Sequence, residues 1–298
     1  MIYNMNRYES TKRVSFLGIV GNVFLLIIKF IVAMFSHSEA MMADAINSAG
    51  DIFSSIMSYI GNKIACVPSD EDHNFGHGKA EYIFSLFISI FMIFIGGKIL
   101  FDSIFAIIEG DTFTFSIYLI LVCIVTIAVK LFLYLYAKKM LNLHHNILIK
   151  ATMKDHRNDM ILTCGTLLSV LFGYFGFYFF DGIFGSVTSI YIIVTGLGIL
   201  MESYRVLMDA SINKKEKDVI VDFILKNEDV IKVEDFYTVP VGYKYVLVLT
   251  IDVDGNLSTF DSHKIADTIE KDVVKKFKKI YKTIIHVNPV QSNSRCCY

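Results

Sequence analysis

Long apolar runs, separated by short polar connections, occupy roughly the first two thirds of the chain. A helix that crosses a bilayer needs about 20 mostly apolar residues, and six segments approach that requirement. They are Val14–Phe35, Met41–Ile64, Tyr82–Ile108, Phe113–Tyr136, Ile147–Tyr174 and Gly182–Met208. The second and fifth are interrupted by carboxylates. The pattern predicts an α-helical membrane protein with six transmembrane helices.

The pattern changes after Met208, where apolar and polar residues alternate in short runs. Alternation indicates half-buried strands, whereas apolar residues three or four apart indicate helices. We expect helix, strand, strand, helix, strand, an order that suits a two-layer α+β domain with an antiparallel sheet. The expected elements are Lys214–Lys226, Val233–Val241, Tyr243–Val253, Ser258–Phe277 and Lys282–Val287. The predicted division is a membrane domain over 1–210, a soluble domain over 211–290 and a tail over 291–298.

Composition agrees with a membrane protein and excludes some other classes. Mean hydropathy is +0.53 and only 19% of the 298 residues are charged, whereas soluble chains are about one quarter charged. The formal net charge of −1 leaves no basic surplus to neutralise phosphates, so we expect no nucleic-acid partner. The five cysteines lack the spacing of a disulfide framework or a zinc site.

Basic residues mark one side of the predicted membrane segments. Lys and Arg occur at the amino terminus, at Lys79 and at Lys138 and Lys139. Neither type occurs in the connections on the other side, which are residues 36–40, 109–112 and 175–181. Because positive charge marks the cytoplasmic side, we expect an integral protein of the cell membrane with both termini in the cytoplasm.

Oxygen-bearing side chains lie within two predicted membrane helices, where a charge costs about 2.5–3.5 kcal/mol. Asp155 and Asp159 are one turn apart on the fifth helix and share a face. The second helix carries four oxygen-bearing side chains on one face, at positions i, i+3, i+4 and i+7. They are Asp44, Asn47, Ser48 and Asp51.

Two such helices can converge on one ion. Paired carboxylates repel each other unless a cation or protons lie between them, which favours an exchanger that holds a metal in one state and protons in the other. The alternative is that the carboxylates pair with Lys154 and Arg157 and tie the helices together.

These segments resemble the signatures of the cation diffusion facilitator family of metal–proton antiporters. The run ADAINSAGD at Ala43–Asp51 is similar to the family's second-helix signature, and FGHGKAE at Phe75–Glu81 is similar to its cytoplasmic-loop signature. The resemblance covers nearly the whole chain and implies six membrane helices, a ferredoxin-like cytoplasmic domain and a homodimer. It also implies, by position, a transport site of Asn47, Asp51, Asp155 and Asp159.

Oxygen donors stand at all four of these positions, whereas zinc-transporting members have one or two imidazoles. Carboxylate and amide oxygens suit hard ions such as Mn²⁺, whereas imidazole suits Zn²⁺. We therefore expect export of Mn²⁺ from the cytoplasm in exchange for protons, as in the manganese group. Zn²⁺ or Fe²⁺ stays an alternative, because His156 and Asp44 are additional candidate ligands.

The resemblance implies further features outside the membrane. The spacing of Asp70, His73 and His77 matches a loop metal site of bacterial members, with an ordinary polar loop as the alternative. Lys79 and Asp209 match positions that pair charges and lock the helices of the dimer.

The soluble domain keeps only part of the ligand set that zinc-transporting members use between two copies. Two of the ligand positions are occupied by histidines, His263 and His286, and Glu234 is a third candidate ligand. Thr250 and Asn288, at the other positions, are poor ligands. We expect this domain to dimerise with weak dependence on metal.

Other classes fit the sequence less well. Alcohol phosphotransferases of lipid synthesis also place Asp-x-x-x-Asp in six membrane spans, but Lys150–Met153 before Asp155 does not match their contiguous motif. A structural or receptor role would leave the aligned ligands unexplained, and transport of a cationic metabolite stays an alternative. We therefore expect a transporter rather than an enzyme.

Overall fold

The computed structural model describes residues 2–36, 39–109, 117–174 and 179–290, except for some side chains within them. The predicted tail over 291–298 lies outside the described residues. Within these ranges the chain forms six long helices followed by a smaller α+β part. The helices are α1 (Ile2–Ser36), α2 (Glu39–Ala65), α3 (Ala80–Glu109), α4 (Ile117–Leu143), α5 (Ile147–Tyr174) and α6 (Phe179–Leu207).

The described chain separates into two compact units. The first holds the residues up to Pro68 together with Ala80–Tyr204, and therefore most of the six helices. The second joins the loop Ser69–Lys79 to the chain from Arg205 onward. The loop between α2 and α3 thus belongs to the second unit.

Four helices of the described residues are long and apolar enough to cross a bilayer. They are Arg7–Val32, Ala80–Ile108, Ile120–Leu143 and Gly182–Leu207. Polar side chains such as Ser55 and Asn158 are buried between helices, whereas large apolar ones such as Phe94 and Val187 are exposed. This distribution is the one a lipid environment requires, since polar groups in a bilayer must find partners inside the protein.

The two carboxylate-bearing helices lie against several others. Helix α5 contacts α1, α2, α3 and α4, and α2 contacts α1, α3 and α5. Asn22 of α1 donates from Nδ2 to the carbonyl oxygen of Asp51 (3.1 Å) and to Oγ of Ser55 (3.2 Å). The α1–α2 seam is therefore hydrogen-bonded beside the carboxylate of Asp51.

A buried ion pair joins three helix ends of the first unit. The guanidinium of Arg7 (α1) donates two hydrogen bonds to the carboxylate of Glu81 (α3), and both side chains are at most 3% exposed. Arg7 Nε also donates to the carbonyl oxygen of His145 (2.8 Å), and Asn146 Nδ2 donates to Glu81 (3.1 Å). Asn146 Oδ1 accepts the backbone N–H of Leu148 (2.7 Å) in the first turn of α5. Glu81 therefore fixes the starts of α1, α3 and α5 together.

The second unit contains the predicted helix–strand–strand–helix–strand order. Its elements are α7 (Lys214–Ile224), β1 (Lys232–Val241), β2 (Lys244–Asp254), α8 (Thr259–Lys276) and β3 (Ile280–Val290). These are the last five elements of the ferredoxin-like order. Asn213 and Ser258 cap α7 and α8 by accepting backbone N–H groups.

The sheet has the order β1-β2-β3 and differs in one respect from the expectation. Strands β1 and β2 are antiparallel, but β2 and β3 are parallel. The expected wholly antiparallel sheet was therefore wrong for the third strand, because α8 returns the chain to the end of the sheet where β2 began.

One face of this sheet carries the core of the second unit. Leu247, Leu249 and Ile251 of β2 pack against Ile220 of α7 and Val273 of α8, and all five are buried.

Candidate functional site

A cavity inside the first unit is lined by residues from all six long helices. Apolar side chains of α3, such as Met92 and Ile95, form one wall. The polar lining consists of Lys29, Ser48, Asp51, Thr126, Lys130, Asp155, Asn158, Asp159 and Thr163. Three carboxylates therefore meet at one cavity between the helices.

The carboxylates of α5 lie close to each other. Asp155 is buried and its Oδ2 has no hydrogen-bond partner among the described residues. Asp155, His156 and Asp159 each offer one ligand atom, and these atoms lie within 4.8 Å of one another. One turn of α5 thus presents a group of ligands to one point.

Asp51 of α2 is joined to Asp159 by a lysine of α4. Lys130 Nζ donates to Asp51 Oδ2 (2.7 Å) and to Asp159 Oδ2 (2.6 Å), and the lysine side chain is 1% exposed. The structure thus brings Asp51, Asp155 and Asp159 together around one cavity. Asp44 and Asn47 lie on α2, but their side chains fall outside the described residues.

Five polar residues of this cavity were not predicted from the sequence, which are Lys29, Thr126, Lys130, Asn158 and Thr163. Lys130 interrupts the apolar run of α4, and an isolated charge in such a run is itself a sign of an intramembrane partner. Asn158 is buried, and neither atom of its amide has a partner in the part of the chain that the structure describes. No comparable local signal distinguishes Asn158 from other polar residues of α5.

The sequence left open whether the carboxylates pair with Lys154 and Arg157. The recorded ion pairs of Asp51 and Asp159 use Lys130 instead. The guanidinium of Arg157 lies over the ring of Tyr191 in α6, 5.1 Å from its centroid.

His156 is fully buried and its ring lies near α1. A Cβ atom added to Gly18 would lie 3.6 Å from His156 Nε2. Both ring nitrogens lack a hydrogen-bond partner among the described residues. The side chain of His156 therefore lies close both to the carboxylates of Asp155 and Asp159 and to the surface of α1.

The loop of the second unit brings together Asp70, His73 and His77. Asp70 Oδ1 accepts the backbone N–H of His73 (2.6 Å) and lies 3.1 Å from His73 Nδ1, while Asp70 Oδ2 is 3.6 Å from His77 Nε2. The three ligand atoms lie within 4.8 Å of one another. The hydrogen bond from the backbone N–H of His73 holds the pKa of Asp70 below its usual range, so the carboxylate is anionic at neutral pH. This geometry suits a divalent ion with two imidazoles and one carboxylate.

The same loop supplies the predicted charge pair. Lys79 Nζ donates to Asp209 Oδ1 over 2.7 Å, and both side chains are partly exposed. An ion pair with this exposure contributes about 0–1 kcal/mol, so it sets geometry more than stability.

The sheet register aligns some of the candidate ligands of the second unit. Glu234 on β1 lies opposite Thr250 on β2, and Thr250 lies opposite His286 on β3. Glu234 pairs with Lys232 (2.6 Å), and Asn288 donates to Asp252 (3.0 Å).

His263 lies apart from this row, in the first turns of α8. The ligand groups found in the described residues are those of α5 and the loop, and neither contains Glu234, His263 or His286.

Two family models match the chain over nearly its whole length. That of the cation efflux transmembrane domain matches residues 15–208. The chain belongs to the cation efflux family. The model of the cytoplasmic domain of cation efflux proteins, ZT_dimer, matches residues 212–290. This cation efflux protein is therefore an integral membrane transporter, and residues 212–290 of its second unit form a dimerisation domain.

The sequences of several curated relatives align with the cation efflux protein over almost its whole length. The cation-efflux pump FieF of Shewanella oneidensis is 27% identical over 274 residues, 90% of each chain. The manganese efflux system protein MneS of Bacillus subtilis is 27% identical over 290 residues, 96% of this chain and 99% of its own. The manganese efflux system protein MneP of the same organism is 24% identical, covering 95% of this chain and 97% of its own.

Proposed function

We propose that this cation efflux protein exports Mn²⁺ from the cytoplasm in exchange for protons. Residues 1–210 form the transport domain, in which α2 and α5 complete a set of six membrane-spanning helices. Residues 211–290 form the cytoplasmic dimerisation domain, and both termini lie in the cytoplasm. The functional unit is a homodimer in the lipid bilayer.

The observation that carries the proposal is the meeting of Asp51, Asp155 and Asp159 at one cavity lined by all six helices. Three carboxylates in an apolar bundle can persist only with cations or protons beside them. A divalent cation satisfies them in one state and protons in the other, which is the requirement of an exchanger. Asn47 belongs to the proposed ligand set because it stands at the position of a ligand in the family's second-helix signature, one helical turn before Asp51.

Ligand hardness supports Mn²⁺ as the cargo. Carboxylate and amide oxygens favour Mn²⁺ over softer ions, and Asn158 adds a further buried amide at the cavity. The names of the relatives MneS and MneP agree with this assignment. Zn²⁺ or Fe²⁺ is the second candidate, favoured by the proximity of His156 to Asp155 and Asp159.

The accessory sites have proposed roles of their own. Asp70, His73 and His77 bind a divalent ion in the cytoplasmic loop. Lys79 and Asp209 brace the helices of the dimer.

The test is transport by the purified full chain in sealed vesicles. Mn²⁺, Zn²⁺, Fe²⁺, Co²⁺ and Cd²⁺ are compared under an imposed pH gradient, with one dye for the metal and another for protons inside the vesicle. We expect Mn²⁺ flux to depend on the gradient and to move protons in the opposite direction.

Two matched variants isolate the site. Asp159→Asn removes a cavity carboxylate and should abolish flux, whereas Asp102→Asn removes an exposed carboxylate of α3 that does not line the cavity. Equal losses in both variants, or full Mn²⁺ flux in Asp159→Asn, would show that the ion does not pass through this cavity.

A further inference from the structure

The ammonium of Lys130 lies where a metal ion would have to bind. It is within 2.7 Å of a carboxylate oxygen of Asp51 on α2 and within 2.6 Å of one of Asp159 on α5. Lys130 itself belongs to α4, so a single buried cation connects three helices. A metal ion that used the same two oxygens would need the space between them.

The charges of the cavity explain why a cation is held there. Asp51, Asp155 and Asp159 carry three negative charges when ionised, and the two lysines that line the cavity, Lys29 and Lys130, carry two positive charges, which leaves a net charge of −1. Burying anions without a counter-charge is strongly unfavourable. Lys130 therefore supplies part of the positive charge that the three carboxylates require, and it is the lysine that contacts two of them.

We propose that Lys130 is a tethered internal cation that occupies the site when no metal is bound and is displaced by the arriving metal. This inference rests on the proposed function, because it assumes that the metal binds at Asp51 and Asp159. Repulsion between the ammonium and a divalent ion excludes simultaneous occupation at hydrogen-bonding distance. Lys130 is thus a positioning residue that competes with the cargo rather than a ligand of it.

The cavity offers acceptors for the displaced ammonium. Thr126 lies one turn before Lys130 on α4 and also lines the cavity, and its buried Oγ1 has no partner among the described residues. The buried Oδ1 of Asn158 is a second such acceptor in the described part of the cavity. A lysine side chain rotates through several dihedral angles, so it can exchange carboxylates for these oxygens without leaving the cavity.

This competition predicts opposite effects on binding and turnover. In Lys130→Met the metal no longer displaces a bound cation, so the Kd for Mn²⁺ should fall about tenfold or more. Release of the metal then leaves the carboxylates without the counter-charge of Lys130, so release is slow. The maximal transport rate should therefore fall while KM also falls. Lys130→Arg keeps a cation and should restore most of the maximal rate.

Mn²⁺ binding is measured on the full chain in detergent, from the electron paramagnetic resonance signal of free Mn²⁺. Transport is measured on the full chain in vesicles. Lys98→Met is the matched control, because it removes an exposed lysine of α3 that does not line the cavity, and its Kd should equal that of the wild type. Lys130→Gln is a second replacement for use where Lys130→Met does not fold.

Several results would overturn the inference. A purely structural lysine predicts weaker Mn²⁺ binding in both neutral variants, and unchanged or weaker binding would refute the competition. The competition would also be refuted if Lys130→Arg had the same Kd for Mn²⁺ and the same maximal transport rate as Lys130→Met. If Asp51→Asn binds Mn²⁺ as the wild type does, the proposed site itself is wrong and the inference falls with it, so the two failures are distinguishable.

Discussion

Replacing Glu81 by Gln should strongly destabilise the helix bundle, although Glu81 does not line the cavity. The substitution removes the negative charge beside Arg7, whose side chain is 3% exposed. Removing one partner of a buried ion pair costs about 3–5 kcal/mol, because the other charge stays buried without compensation. We expect Arg7→Met to cost a similar amount, since among the described residues Glu81 would then keep its hydrogen bond from Asn146 and no other side-chain partner.

The double variant tests whether the two losses share one cause. Neither charge remains in Arg7→Met/Glu81→Gln, so its free energy of unfolding should exceed the value expected from adding the single losses by about 2 kcal/mol or more. Arg13 and Glu9 supply a control on the same helix, because their side chains are 65% and 52% exposed. Neutralising that pair should cost about 0.3–0.5 kcal/mol.

The chain contains no Trp, so unfolding is followed by the far-ultraviolet circular dichroism of the helices during denaturant titration in lipid–detergent micelles. Additive losses in the double variant would show that Arg7 and Glu81 act independently. A loss below about 1 kcal/mol for Glu81→Gln would show that the pair is not buried.

Three further predictions concern metal and assembly. Asp155→His should shift preference from Mn²⁺ toward Zn²⁺, because imidazole favours the softer ion; an unchanged Mn²⁺/Zn²⁺ flux ratio would contradict the site assignment. The affinity for Mn²⁺ in detergent should weaken as pH falls, since protons compete for the cavity carboxylates; a flat profile from mildly acidic to mildly alkaline pH would remove proton coupling at this site. The fragment 211–290, which contains its own apolar core, should form a dimer whose mass and melting temperature change little with Mn²⁺ or Zn²⁺. Tight binding of two ions per protomer that His263→Ala abolishes would instead indicate a metal sensor.

Local spacing was enough to predict some of the site but not its ion pairs. Asp155 and Asp159 are one turn apart, so any helix places them on one face whatever its neighbours are. The partner of Asp159 depends on which helix packs alongside α5, and that information is spread over many residues of α4 and α5. Lys130 therefore went unassigned, although its charge within an apolar run was visible in the sequence.

The soluble part shows the same division between local and long-range information. The alternation and helical spacing of apolar residues predicted the order of elements, which is confirmed. The direction of β3 depends on the path of the chain through α8 and not on the residues of β3 itself. The rule that a helical crossover joins parallel strands would have corrected the antiparallel expectation.

The loop between α2 and α3 is packed into the second unit. Gly78 lies so close to the β1–β2 turn that an added Cβ atom would lie 3.3 Å from the Cα atom of Gly242. The chain therefore passes between the two units three times, at residues 68–69, 79–80 and 204–205. Deleting residues 211–290 would thus strip the α2–α3 loop of its support, and such a truncation tests more than the loss of dimerisation.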